Sequence, residues 1–223
     1  MRVLVTGGAG FIGSHLVDML MARGEEVCVI DNLSTGSLEN IKQWLESPRF
    51  TFIKGDLLDI SDLGDYDIIF HLAANPEVRV SSESPEVHFQ QNVVATYNLL
   101  ERVRGSKTDV VVFASTSTVY GEASKIPTPE DYAPLKPISV YGASKLACEA
   151  LISAYAHTYN FRAVIFRLAN IVGSRSRHGV IVDFIRKLRR NTEELEVLGD
   201  GNQRKSYLHV SDCVQAMLLG LEK

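Results

Sequence analysis

Tyr141 and Lys145, four residues apart in Val140-Tyr-Gly-Ala-Ser-Lys145, are the side chains whose spacing best suits proton transfer. On a helix, positions i and i+4 share a face. A phenol of pKa about 10 is a poor base at neutral pH, and a neighbouring ammonium lowers that value by stabilising the phenolate. Lys145 is therefore expected to make Tyr141 a usable acid/base, although a Tyr and Lys at this spacing are commonly structural. A second feature accompanies them in Phe113-Ala-Ser-Thr-Ser-Thr-Val-Tyr-Gly121, where Ser115 to Thr118 are all hydroxyl residues ending an apolar run. Such hydroxyls can simply terminate a strand. Beside a phenol they can instead hold a sugar oxygen while the phenolate removes its proton.

The N-terminus supplies what those groups would act with. Val3-Leu-Val-Thr6 reads as a buried strand, Gly7, Gly8 and Gly10 as a turn, and Phe11 to Arg23 as an amphipathic helix. A helix start offers unpaired N–H groups and the positive end of the peptide dipoles, and glycines let a pyrophosphate approach. Gly7 suits the tight turn, Gly10 the close approach and Gly13 the packing of helix on strand. Glycine-rich turns also occur with no ligand. However, a second apolar run, Val27 to Ile30, ends in Asp31, 18 residues after Gly13. A carboxylate at about that distance accepts from an adenosine ribose and repels a 2′-phosphate, which favours NAD over NADP. Together, turn, acid, hydroxyls and Tyr/Lys pair suggest a hydride-transfer site.

Positioning these groups requires an alternating chain. Strand-like runs recur at Val3–Thr6, Val27–Asp31, Phe50–Lys54, Ile68–Leu72, Val110–Ser115 and Ala163–Leu168, with long helical patterns at Glu86–Arg104 and Tyr141–Tyr159. The expected fold is α/β, a doubly wound parallel sheet of Rossmann type, with ligands gathered at the carboxyl ends of the strands. There Lys54-Gly55-Asp56-Leu57 places a carboxylate suited to an adenine amino group or, equally, to capping a turn. His71-Leu72-Ala73-Ala74-Asn75 ends the fourth strand in small side chains that leave room for a cofactor. Between Tyr120 and Ser139, four prolines rule out long regular elements and predict a loop that delivers Tyr141 to the sheet edge.

The 223 residues, 45% hydrophobic, suffice for one sizeable core. A net charge of −4 with both signs interspersed excludes a nucleic-acid face. The basic run Arg186–Arg190 reads as the solvated side of a helix that turns Phe184, Ile185 and Leu188 inward. No run is long enough to span a membrane and no signal peptide is evident, so a cytoplasmic protein is expected. Cys28, Cys148 and Cys213 read as core residues, and the histidines have no metal-binding spacing.

TGGAGFIGS, DNLSTG, GDLLD, HLAAN, FASTSTVYG, SVYGASK and RLANIVG, in that order, resemble the extended short-chain dehydrogenases/reductases over nearly the whole chain, and among them the nucleotide-sugar epimerases. The resemblance implies that Gly7, Gly10, Phe11, Ile12 and Gly13 hold the pyrophosphate of NAD. Asp31, Asn32, Thr35 and Gly36 would hold the adenosine ribose and its phosphate, and Asp56 and Leu57 the adenine. Leu72, Ala73 and Ala74 would line the dinucleotide with Asn92 in support, while Ser115, Tyr141 and Lys145 meet the nicotinamide end. Thr116 falls at the catalytic Ser/Thr position. Related dehydratases carry Asp-Glu directly after it and related decarboxylating enzymes a glutamate two residues on. Ser117 and Thr118 stand there instead, which implies epimerisation at C4 of a UDP-hexose, interconverting UDP-glucose and UDP-galactose, or alternatively of a UDP-N-acetylhexosamine or a UDP-uronate. Asn170 would bind the substrate's phosphates. Lys205 and Ser206 replace the usual Arg-Asp, so either Arg204 or Lys205 is expected on the diphosphate. The resemblance also implies a homodimer through the two long helices. It divides the chain into an NAD-binding domain, 1–170, and a partial substrate-binding region, 171–223, interleaved with the last sheet elements. Because the family usually continues further, the chain is expected to be a fragment or to have an abbreviated substrate lobe; a truncated lobe would leave an NAD-binding module without turnover.

Overall fold

A computed structural model describes residues 1–60, 63–77 and 84–222. Its main sheet is built from β1 (Arg2–Thr6), β2 (Glu26–Asp31), β3 (Phe50–Lys54), β4 (Ile68–His71), β5 (Val110–Thr116) and β6 (Arg162–Leu168). All pairings are parallel, in the order β3-β2-β1-β4-β5-β6. The expected doubly wound fold is thus present, with each strand starting and ending within one residue of its predicted limits. Apolar runs serve here because both faces of the sheet are covered.

Successive side chains feed two cores. Val3, Val5, Val27, Val29, Ile68 and Phe70 point to the face of helix α1 (Phe11–Ala22). Leu4, Cys28, Ile30, Ile69, Val111 and Phe113 point to the other face, toward α3 (Ala95–Val103) and α4 (Val140–Tyr159). Between β1 and β4 the chain order reverses, so the crevice that opens outside their carboxyl ends is bounded by Thr6 and His71, which are register partners.

Two expectations are corrected. The predicted helix Glu86–Arg104 is α2 (Pro85–His88), a π-helical stretch Phe89–Val94, and α3. The wide turn goes with Asn92, whose buried side chain bonds two other segments; apolar periodicity carries no mark of such a turn. The predicted inward face of helix α5 (Val180–Arg190) is largely uncovered, with Ile185 47% and Leu188 41% exposed and only Phe184 partly buried. The helix is amphipathic, but its apolar side is largely exposed.

A small parallel pair, β7 (Asn170–Val172) and β8 (Tyr207–His209), precedes the last helix, α6 (Val210–Leu219). Val210, Cys213, Val214, Met217 and Leu218 of α6 lie in the same core as α1. The three cysteines are free and buried. Among the described residues, no helix is long and apolar enough to cross a membrane.

Candidate active site

One cavity of about 660 Å³ runs from the β1–α1 turn past the ends of β4 and β5 to the start of α5. Gly7, Gly10, Phe11, Ile12 and Gly13 line one end. Gly7 has φ +71°, and a Cβ there would stand 2.8 Å from the Ala73 nitrogen. A Cβ at Gly13 would lie 2.2 Å from the Gly7 carbonyl oxygen, so helix and turn touch only because residue 13 is glycine. α1 starts at Gly10 with no side-chain cap and no acidic residue in its first turn. Its first N–H groups, which no helical carbonyl can satisfy, thus face an opening made for an anion.

Next along the cavity is Asp31, 8% exposed. Its Oδ2 accepts from Ala9 N at 3.0 Å and its Oδ1 from Leu33 N at 2.8 Å. Burial raises its pKa while these N–H donors pull it down. A Cβ at Gly36 would come within 2.9 Å of both oxygens. Gly36 therefore makes room for the acid but is not itself in the lining, whereas Thr35 is. Asn32 and Asp56 both line the cavity and bond each other, Nδ2 to Oδ2 at 2.8 Å. Asp56 also accepts from Leu58 N, so it caps a turn as well as facing the cavity. Leu57, Leu72, Ala73 and Ala74 complete the wall. Asn92 supports it from behind, with Oδ1 accepting from Asn75 N at 2.8 Å and Nδ2 donating to Ser144 Oγ at 2.9 Å.

Ser139 caps α4 by accepting from Gly142 N at 3.0 Å, which sets Tyr141 in the first turn with Lys145 one turn on. Thr116, Tyr141 and Lys145 all line the cavity. Thr116 Oγ1 accepts from Thr118 N at 3.2 Å. Its Oγ1 also accepts from Thr118 Oγ1 at 3.1 Å. Burial pushes the Tyr141 phenol up to about 12, and the neighbouring Thr116 hydroxyl opposes that rise. The expected lowering by Lys145 is not what this geometry produces. The Lys145 ammonium, itself brought down to about 8 by burial, lies over the Phe113 ring at 4.1 Å. Ser115 reaches the lining, yet its hydroxyl donates to the buried Glu149 carboxylate. His88, fully buried, presents its ring to Tyr141 at 5.7 Å.

On the far wall, Asn170 lines the cavity and donates from Nδ2 to the Ser206 carbonyl at 3.1 Å. Arg204 and Lys205 are exposed and outside the lining. Sequence reasoning missed Arg175, Arg177 and His178, which do line it. Their signal was two arginines and a histidine shortly beyond the carboxyl end of β7.

This fold and site define a dinucleotide-binding enzyme scaffold of the extended short-chain dehydrogenase/reductase type. The glycine turn, uncapped helix start and inward Asp31 fit NAD. A family model described as the NAD dependent epimerase/dehydratase family matches residues 3–223, and the chain belongs to that family, with NAD as its cofactor. A UDP-glucose 4-epimerase of Mycolicibacterium smegmatis is 37% identical, the match covering 98% of this chain and 72% of the relative. A crystal structure of a UDP-galactose 4-epimerase superposes with a TM-score of 0.90 at 53% identity, covering 100% of this chain and 72% of the other. A UDP-glucuronic acid 4-epimerase of Bacillus cereus, solved with UDP-glucuronic acid and NAD, gives a TM-score of 0.91 at 34% identity, covering 100% of this chain and 74% of that one.

Proposed function

We propose that this protein is a UDP-glucose 4-epimerase, interconverting UDP-glucose and UDP-galactose through a 4-keto sugar. The observation that supports this reading is that Thr116, Tyr141 and Lys145 lie together in the wall of a cavity continuous with the glycine turn. NAD, when bound, supplies a reversible two-electron acceptor for the C4 carbinol. Tyr141 takes the hydroxyl proton and later returns it, and Thr116 holds the same oxygen by hydrogen bonding. Lys145 lends positive charge to that end of the cavity. Thr118, which bonds Thr116, brings a hydroxyl where water elimination or decarboxylation would call for a carboxylate. Gly7 to Gly13, Asp31, Asn32, Thr35, Asp56 and Leu57 hold the dinucleotide, and Asn170 the sugar nucleotide's phosphates. Because Arg204 and Lys205 stand outside the cavity, Arg175 and Arg177 take their place in the phosphate assignment. The exposed Tyr97 of α3 and Tyr159 of α4 mark the helices through which we place a homodimer.

The deciding experiment incubates the purified protein with UDP-galactose and NAD, without another oxidant, and looks for UDP-glucose. No product from UDP-galactose, with turnover of UDP-glucuronic acid on the same panel, would shift the assignment to the uronate. That second reading is favoured by the Bacillus cereus relative.

A further inference from the structure

Behind the cavity wall, a buried chain of hydrogen bonds joins the end of β4 to α4. Ala73 N donates to Thr6 Oγ1 at 3.2 Å, and Thr6 Oγ1 meets His71 Nδ1 at 2.8 Å. His71 Nε2 meets Thr96 Oγ1 at 2.8 Å, Thr96 Oγ1 donates to Cys148 Sγ at 3.3 Å, and Cys148 Sγ donates to the Asn92 carbonyl at 3.4 Å. Thr6, His71, Thr96 and Cys148 are each at most 1% exposed.

Counting protons fixes the direction. Ala73 N–H can only donate, so Thr6 Oγ1 accepts from it and has its own proton to give. His71 Nδ1 takes that proton only when bare. Nε2 then carries the hydrogen and donates to Thr96, whose hydroxyl donates to Cys148 Sγ, whose thiol donates to the Asn92 carbonyl. The opposite tautomer leaves the Thr6 hydroxyl proton without an acceptor among the described residues. A buried donor left unmet costs about 1–3 kcal/mol. Burial together with nearby Lys145 holds His71 neutral, bringing its pKa down to about 3.

We propose that His71, fixed as the Nε2–H tautomer, is a positioning residue that joins the cofactor-lining segment Leu72–Asn75 to the helix bearing Tyr141 and Lys145. The His71 ring stacks on Phe113 at 5.4 Å, and Phe113 carries the Lys145 ammonium on its face. Asn92 closes the circuit through Asn75 N, Ser144 Oγ and the Tyr141 carbonyl. The functional part rests on the reading of Tyr141 and Lys145 given above; the tautomer does not.

The test has two arms. In wild-type protein labelled with 15N-histidine, two-bond 1H–15N correlations should show His71 as the neutral Nε2–H form from pH 5 to 8. A His71 that is Nδ1–H, or that titrates in that range, overturns the proposal whatever the enzyme does. In the second arm, Thr96→Val removes the acceptor for Nε2–H at constant shape, and Thr96→Ser keeps it. Thr96→Val should lower kcat about tenfold with the sugar-nucleotide KM within about twofold, and Thr96→Ser should restore it. Equal kcat in both variants overturns the positioning role. Should wild type bind NAD yet turn over no sugar nucleotide, the catalytic reading fails; NAD affinity then replaces kcat, with Thr96→Val expected about tenfold weaker and Thr96→Ser unchanged.

Discussion

At Tyr141 two opposing influences meet on one oxygen. Burial raises the phenol to about 12, and the Thr116 hydroxyl is the group that stabilises its deprotonated form. Removing the phenol should therefore cost far more than weakening its partner. We expect Tyr141→Phe to lower kcat about 10³-fold and Thr116→Val about 10- to 100-fold, with NAD binding retained in both. Coupled assays with NAD titrations measure this; a Tyr141→Phe enzyme near wild-type rate would remove Tyr141 from proton transfer. Asp31 is held differently, since both oxygens already take backbone N–H groups. Asparagine can accept with only one. Asp31→Asn should weaken NAD at least about tenfold by calorimetry. That Tyr141 and Asp31 would face the cavity was legible from local spacing, and that Thr116 would do so from the family resemblance. The target of the Lys145 ammonium was not, because it depends on Phe113, 32 residues away and on another element. Nor was the partner of the Ser115 hydroxyl, which lines the cavity but donates to Glu149, 34 residues on.

Elements meet at Glu149, where α4 is tied to β6. The Glu149 carboxylate takes three contacts from Arg167, at 2.8, 3.1 and 3.2 Å, as well as the Ser115 hydroxyl. Arg167 reaches on to the Glu130 carbonyl at 3.2 Å and lies over the Tyr120 ring at 4.9 Å, so the pair also pins the loop between β5 and α4. The Glu149 side chain is 7% exposed and that of Arg167 23%, so removing one partner strands the other with little solvent. Glu149→Gln should cost about 3 kcal/mol, read as a melting midpoint lower by about 6–12 °C. A loss under about 1 kcal/mol would mean that the pair is screened as a surface bridge. The six strands were legible because strands buried on both faces read as continuous apolar runs bounded by polar ends. The π-helical stretch was not, since Phe89–Val94 keeps an ordinary helical composition. The face of α5 was misread because amphipathicity tells which side is apolar, not whether anything covers it.

For the molecule as a whole, the buried titratable groups make stability depend on pH in separable windows. His71 is protonated near 6.5 when unfolded and only near 3 when folded, so the unfolded chain binds the extra proton between those values. Its contribution is full above about pH 6.5 and is lost as pH falls, at up to about 1.4 kcal/mol per pH unit. Lys145 acts on the alkaline side. Its folded value near 8 lies below the 10.5 of the unfolded chain, so the cost of burying its charge is present below 8 and fades as pH rises toward 10.5. Tyr141 works in the opposite sense, its stabilising contribution being lost between 10 and 12. Replacing His71 with Gln removes one titration without adding a charge. Urea midpoints between pH 4 and 7 should therefore fall less steeply for His71→Gln than for wild type, even where the variant is less stable throughout. Parallel acid limbs in the two proteins would mean that His71 takes up its proton in the folded state, a result incompatible with a neutral imidazole holding Thr6 and Thr96 together.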